Sequence, residues 1–299
     1  MSNTIKLFWD PQGAELDQLA DKKLVGEPSD GDTPYIRMPI RMLGIDTPET
    51  NLPGHASAVA NNQKLADVAT WLRAGGHGLP PGLVDHLAPR LDTGTAGVDH
   101  HQQGQDATQY FKSLLKTLLT KPDGKQRDVF VWTSRQPFDA NKRLLAYLAP
   151  EYTRAERQLA QFQNRKTFNL LMLESGWAAP IIIYPNLFKN SDLRLARQAI
   201  LSARAAQRGI WANPNTLLAY EFRACLKLWE KIQEQRQAGQ AGRTLTIRVS
   251  DWLTRYCGDM CLQTIYEPQD YYQVPPENRF YVWPQDVRQA VADLNLMAG

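Results

Sequence analysis

The stretch Arg41-Met42-Leu43-Gly44-Ile45-Asp46-Thr47-Pro48-Glu49-Thr50 constrains this chain more than any other. It opens with a cation inside an apolar run and closes with two carboxylates, one on each side of Thr47-Pro48. Met42, Leu43 and Ile45 suit a strand leaving a core, and Pro48 ends that strand because it lacks the N–H a ladder needs. Asp46 and Glu49 then stand at or just past a strand end, where polar groups can converge on a ligand. Upstream, Asp30-Gly31-Asp32-Thr33 reads as a tight acidic turn, with glycine permitting the sharp fold. Hard cations such as calcium take several oxygens from carboxylates and carbonyls. Asp32 and Asp46 are two such donors, with Arg41 and Glu49 beside them. Metal, cation and base together supply what phosphodiester hydrolysis needs: charge neutralisation, a clamp on the transition state and an oriented water.

The stretch resembles the signature of the staphylococcal nuclease (thermonuclease) family, Arg-aliphatic-aliphatic-small-aliphatic-Asp-Thr-Pro-Glu-Thr. Asp30-Gly31-Asp32-Thr33 is similar to that family's first acidic turn, and Asp139 to Tyr147 to its second-arginine segment. Asn169 to Gly176 and Ile210-Trp211 resemble later landmarks, so the matches run in order over roughly 30–211. The resemblance implies an α+β fold: a five-stranded OB-type β-barrel with helices packed on it. It implies that Asp32, Asp46 and the main-chain carbonyl of Thr47 hold calcium, and that Glu49 orients or deprotonates the attacking water. Arg41 and Arg143 would bind the scissile phosphate, since a guanidinium fork fits phosphate oxygens. The expected substrate is DNA, RNA or both, cut to a 5′-hydroxyl and a 3′-phosphate. Sequence preference should be slight, because phosphate contacts carry no base information.

The chain departs from the family near Arg143. Ala140-Asn141 replace a lysine-tyrosine pair, and Lys142 stands where the family has glycine; its charge can compensate for the lost phenol contact. Of two tyrosines that hold a nucleotide base, Tyr184 matches one if a single residue is deleted, and Ile182 replaces the other. The alternative is a non-catalytic nucleic-acid- or protein-binding module on the same barrel, as in the degenerate repeats of Tudor-SN proteins. Those repeats lose catalytic carboxylates and arginines. Here Asp32, Asp46, Glu49, Arg41 and Arg143 are all present, which favours the enzyme.

The 299 residues, 43% hydrophobic, provide core for one large domain or two smaller ones. A net charge of +3 fits a polyanion partner but is too small to argue for one. Three cysteines are too few for a disulfide-built domain. No apolar run approaches ~18 residues, so no membrane span is expected. Met1 to Lys6 shows no basic-then-apolar leader, which makes a cytoplasmic location the default and leaves leaderless export open.

The expected organisation is a nuclease-like domain over 1–214, a helix and linker over 215–242, and a small module over 243–299. Ile5–Trp9 reads as a strand. Residues 51–104 form an insertion that the compact nuclease lacks. Within it Ala58–Leu72 reads as a helix stopped by Gly75-Gly76, and Pro81–Leu91 as a second. Thr93–Gly104 is small and polar and reads as a loop, with Asp106 as the N-cap of the next helix. All five histidines fall in this insertion, where surface positions outweigh a second metal site because no His-x3-His spacing occurs. By position alone, the insertion could wall or cover a substrate groove. Residues 151–166 form a second, basic insertion with an amphipathic helix. Further helices are expected over Phe168–Glu174, Leu193–Ile210 and Asn215–Gln237, a linker over Ala238–Gly242, a strand over Leu245–Val249 and a last helix after Pro284. Cys257 and Cys261 lack further zinc ligands and read as reduced thiols. No partner is assigned to the C-terminal module.

Overall fold

The computed structural model describes residues 23–27, 32, 34–50, 57–139, 141–159 and 166–299. The expected strand Ile5–Trp9, the turn residues Asp30, Gly31 and Thr33, His55 and Ala140 lie outside the described residues.

In chain order, β1 (Lys23–Leu24) and β2 (Ile36–Arg37) come first. The signature stretch then forms two short strands instead of one, β3 (Ile40–Met42) and β4 (Gly44–Asp46), with a turn at Leu43. Gly44 makes the break possible: its φ is +73°, and a Cβ there would overlap the Phe188 ring. Residues 51–104 hold α1 (Ala58–Ala74), α2 (Pro81–Leu91) and the start of α3 (Ala96–Leu119). Next come β5 (Val129–Phe138), β6 (Leu144–Pro150) and α4 (Arg154–Leu159). α5 (Phe168–Glu174), β7 (Ala179–Ile181) and α6 (Asn190–Ala205) follow. The remainder is α7 (Ala219–Gln240), β8 (Tyr256–Asp259), β9 (Thr264–Tyr266), β10 (Arg279–Val282), α8 (Val287–Leu294) and β11 (Met297–Ala298).

The chain divides into two units, one of residues 1–41 with 133–146 and one of 42–132 with 147–299. A sheet of order β3-β6-β5 is cut by this division inside each of its strands. In the first unit β1 pairs antiparallel with β2, Lys23 opposite Arg37 and Leu24 opposite Ile36, all of them exposed.

In the second unit β4 pairs antiparallel with β7, which sets Asp46 opposite Ala179. A four-stranded sheet of order β10-β8-β9-β11 lies in the C-terminal segment. None of the sheets among the described residues closes into a barrel. The largest core joins segments far apart in sequence. Leu65, Val68, Ala69 and Leu72 form the buried stripe of α1, at the spacing the sequence predicts, while Val59 stays exposed. They cluster with Leu83 and Leu87 of α2, Phe222 and Leu228 of α7, and Trp252, Tyr271 and Tyr281 of the C-terminal segment. Truncating a fully buried residue of this cluster, such as Leu65, to alanine is expected to cost about 2–5 kcal/mol.

Three expectations need correction. Thr93–Gly104 is not a loop: α3 begins at Ala96, its N-cap is Thr95, and Asp106 lies well inside it. The reason is Gly97 and Gly104, which suggest flexibility in sequence but serve close approach. A Cβ on Gly97 would sit 2.6 Å from the Ala58 carbonyl oxygen, and one on Gly104 2.8 Å from those of Pro48 and Glu49. Leu245–Val249 is not a strand: residues 243–248 carry no regular structure and lead into a 3-10 turn, Val249–Asp251. The expected linker begins late, since Ala238–Gln240 still belong to α7. No helix among the described residues is long and apolar enough to cross a membrane.

Gly104→Ala should force α3 away from the Pro48–Glu49 backbone and lower stability by about 1–3 kcal/mol in urea denaturation. Gly239→Ala, on α7 with nothing within 4 Å of its would-be Cβ, should instead stabilise by up to about 1 kcal/mol.

Candidate active site

β4 ends on Asp46, whose side chain is 1% exposed. A carboxylate that deep must be neutralised or protonated. It is met by Arg223 of α7, whose Nη1 donates to Oδ1 at 3.3 Å and Nη2 to Oδ2 at 2.7 Å. The same Nη1 donates to Oε1 of Glu49. One guanidinium therefore holds both predicted carboxylates of the signature, with the two-pronged geometry that arginine supplies and lysine does not. The surrounding carboxylates raise the pKa of Arg223 further, against the opposing effect of burial.

Glu49 is also fixed through its backbone. Its N–H donates to Nε2 of His100 at 3.0 Å. His100 is buried on α3, one turn before Gly104, and its ring stacks on Phe222 of α7 at 3.8 Å with 5° between the planes. Burial lowers its pKa to about 4, against the pull of the Leu217 carbonyl and of Asp46. The ring is therefore neutral at pH 7 and Nε2 can accept. Surface placement of the histidines thus fails at His100, and also at His86 and His77. His86 meets Glu221 at 3.0 Å, and His77 reaches the Leu72 carbonyl and stacks on Trp71.

The start of α7 is what delivers Arg223. Glu221 accepts the Leu218 N–H at 2.9 Å, satisfying one of the orphan donors of the helix N-terminus. Its buried carboxylate also meets His86 of α2 and lies 3.8 Å from the Arg279 guanidinium of β10. Burial alone would raise the pKa of Glu221, but the His86 hydrogen bond and the nearby positive charges outweigh it and bring it down to about 2. At the other end of the site, Asn169 joins two backbone segments. Its Nδ2 donates to the Leu43 carbonyl at 2.8 Å, and its Oδ1 accepts the Leu148 N–H at 3.1 Å. α5 is thereby tied to the turn that begins β4.

The predicted residues fall in both units. Asp46, Thr47 and Glu49 belong to the second, and Asp32, Arg41, Lys142 and Arg143 to the first. Asp32 is exposed and Arg41 partly buried. Arg143 is oriented by Asp139, whose Oδ2 accepts from Nε at 2.8 Å and lies 2.7 Å from Nη2. Asp139 Oδ1 also caps the turn through the N–H groups of Asn141 and Arg143. Burial would raise the pKa of Asp139, but these bonds lower it. Lys142 is exposed, with a left-handed φ of 59°. Tyr184 packs against the cluster of Ile182, Phe280 and Val282, and its hydroxyl donates to Asp293 of α8.

Sequence reasoning does not reach Arg223, His100, Asp139 or Glu221. The one local signal is the Arg223/Lys227 pair, i and i+4 on the polar side of a helix whose apolar side carries the pattern. Cys225 and Cys257 are buried free thiols and Cys261 is an exposed one. Among the described residues no group of three or more His, Cys, Asp or Glu side chains is placed to hold a metal.

His100 makes stability pH-dependent with a definite sign. Its folded pKa of about 4 lies below the ordinary 6.5, so its contribution is complete above about 6.5 and is lost as pH falls toward 4. Between pH 7 and pH 5 the loss should be about 2 kcal/mol. Glu221, held at about 2, titrates below that window. Urea denaturation at both pH values should show this loss in the parent and little of it in His100→Gln.

The family model described as staphylococcal nuclease homologue matches residues 39–213, more than half of the chain. The match covers Arg41 through Tyr184 and stops before Arg223. The chain is also similar to Endonuclease YhcR of Bacillus subtilis (strain 168), at 26% identity over 180 residues, 60% of this chain and 11% of that protein. It thus spans only about a tenth of the length of that relative. By the family match, the chain belongs to the staphylococcal nuclease homologue family.

Proposed function

We propose that the chain is a calcium-dependent endonuclease that hydrolyses phosphodiester bonds of DNA, RNA or both with little sequence specificity, leaving 5′-hydroxyl and 3′-phosphate ends. The observation that carries this reading is the convergence of Asp46 and Glu49 on one positive centre, from a strand end and the loop after it. Family membership and the similarity to a protein named as an endonuclease support it. In this reading Glu49 orients or deprotonates the attacking water, and Arg41 and Arg143 bind the scissile phosphate. Asp139 engages Nε and Nη2 of Arg143, which leaves other donors of the fork for phosphate. Lys142 adds charge beside it, and Tyr184 would meet a base once released from Asp293. The five-stranded OB-type barrel and the boundaries 1–214, 215–242 and 243–299 belong to the same proposal.

Calcium is the ion the family implies, with Asp32, Asp46 and the Thr47 carbonyl as its ligands. The arrangement at Asp46 does not fit it. Asp46 engages Arg223 through both oxygens, so a metal at Asp46 competes with the guanidinium for that carboxylate. No step of cleavage is therefore derived through calcium. This observation favours a second reading, a non-catalytic module that binds nucleic acid or protein. Glu49 is held by a guanidinium that must release it before it can engage a water, and Asp46 beside it is already neutralised.

Cleavage of a labelled single-stranded DNA with calcium and with EGTA separates the two readings. A nuclease should cleave only with calcium, and Glu49→Ser and Arg143→Ala should each lose about 100-fold or more. A parent chain that binds the strand in a salt-dependent way but never cleaves it is a binding module.

A further inference from the structure

A cavity of about 140 Å³ is lined by Arg223 and by other residues that all lie outside the segment that matches the family. Among the described residues its charged lining is Arg223, Lys227 and Arg255, with no carboxylate. Arg223 and Lys227 are one turn apart on α7 and so share a face. Arg223 is neutralised by Asp46 and Glu49, but neither Lys227 nor Arg255 has an ion-pair partner among the described residues.

Arg255 is the telling group. It is partly buried, and its guanidinium lies 5.3 Å from the Tyr281 ring centre and 5.2 Å from that of Trp283. Stacking of this kind holds the plane of the guanidinium but accepts none of its N–H donors. Arg255 donates no hydrogen bond to any described residue. Burial lowers its pKa, and Tyr281 and Asp46 offset this only in part. Tyr271 and Tyr281 give the cavity aromatic walls, with Tyr271 2% exposed. Desolvating a cation without acceptors is costly unless an anion completes it.

We infer that this cavity is a phosphate subsite, in which Arg255 and Lys227 bind a backbone phosphate of a nucleic-acid strand beside the Asp46–Glu49 centre. A phosphate suits the lining because its several oxygens accept from a guanidinium fork and an ammonium together. The choice of a strand over a free phosphate rests on the nuclease reading; the cavity's demand for an anion does not.

Binding without cleavage tests it. A fluorescein-labelled single-stranded oligonucleotide is titrated in EGTA against the parent, Lys227→Gln, Arg255→Gln and, as a control, Arg236→Gln, an exposed residue of α7 outside the cavity. Anisotropy should show binding weakened about tenfold in Lys227→Gln and Arg255→Gln. The salt dependence, as log K against log salt, should fall by about 0.7 in each and stay unchanged in Arg236→Gln. Lys227 is exposed, so its variant tests the site even if Arg255→Gln fails to fold. Equal affinity and equal slope in the parent and Lys227→Gln overturn the inference. Inorganic phosphate that raises the melting temperature of the parent but not of Lys227→Gln, with oligonucleotide binding equal in both, assigns the cavity to free phosphate and overturns the strand assignment. A chain that passes the binding test but never cleaves with calcium loses the nuclease reading and keeps this subsite.

Discussion

A carboxylate at 1% exposure cannot remain ionised without a cation, and the centre of this protein is arranged around that requirement at Asp46. The cation is Arg223, and its delivery needs most of the second unit. α7 must begin at Ala219, which Glu221 secures by capping its first turn. Glu221 is itself a buried charge, met by His86 from the insertion and Arg279 from the C-terminal sheet. The two buried carboxylates, Asp46 and Glu221, thus bind the signature strand, the insertion and the C-terminal sheet to the start of α7. Breaking either pair by removing one partner typically costs several kcal/mol, whereas the net worth of each intact pair is small. The arrangement therefore specifies geometry more than it adds stability.

The segment 51–104, which reads as an insertion in the sequence, acquires a purpose from the same geometry. α3 reaches the signature loop through two residues one turn apart: His100, which accepts the Glu49 N–H, and Gly104, which has no side chain to hold the helix away from the loop. Phe222 stacks on His100 from α7, so Glu49 is positioned by the insertion and by the C-terminal segment at once. Position in the chain suggests only a wall over a groove. The contacts assign something more specific: the added helices brace the Asp46–Glu49 loop from behind its backbone.

Helices with a clean apolar stripe are legible in the sequence, as at α1, where Leu65, Val68, Ala69 and Leu72 all face the core. The signature strand is legible in place but not in form, because Gly44 with its positive φ divides it in two. The true start of α3 is hidden for a related reason, since Gly97 and Gly104 suggest freedom when they are contact points. Of the site, the acidic and basic residues of the signature can be named from motif order. Arg223 cannot, because it lies beyond the family segment and its role depends on which way α7 faces. His100 is hidden by composition, one histidine among five in a polar stretch, with nothing local to show that it is buried against Phe222. Long-range pairing of this kind, Glu49 with His100 and Asp46 with Arg223, has no signature in spacing.

The central claim is that Arg223 engages both oxygens of Asp46, the carboxylate through which calcium would be held, so the ion and the guanidinium compete for the same group. Titration of calcium, or of terbium by luminescence, into the parent and into Arg223→Gln tests it most directly, with folding checked by circular dichroism. The parent should bind weakly, and binding should tighten about tenfold or more once the guanidinium is gone, a difference of about 1.4 kcal/mol. Equal affinity in the two proteins would contradict the claim, because the ion would then be held without displacing Arg223.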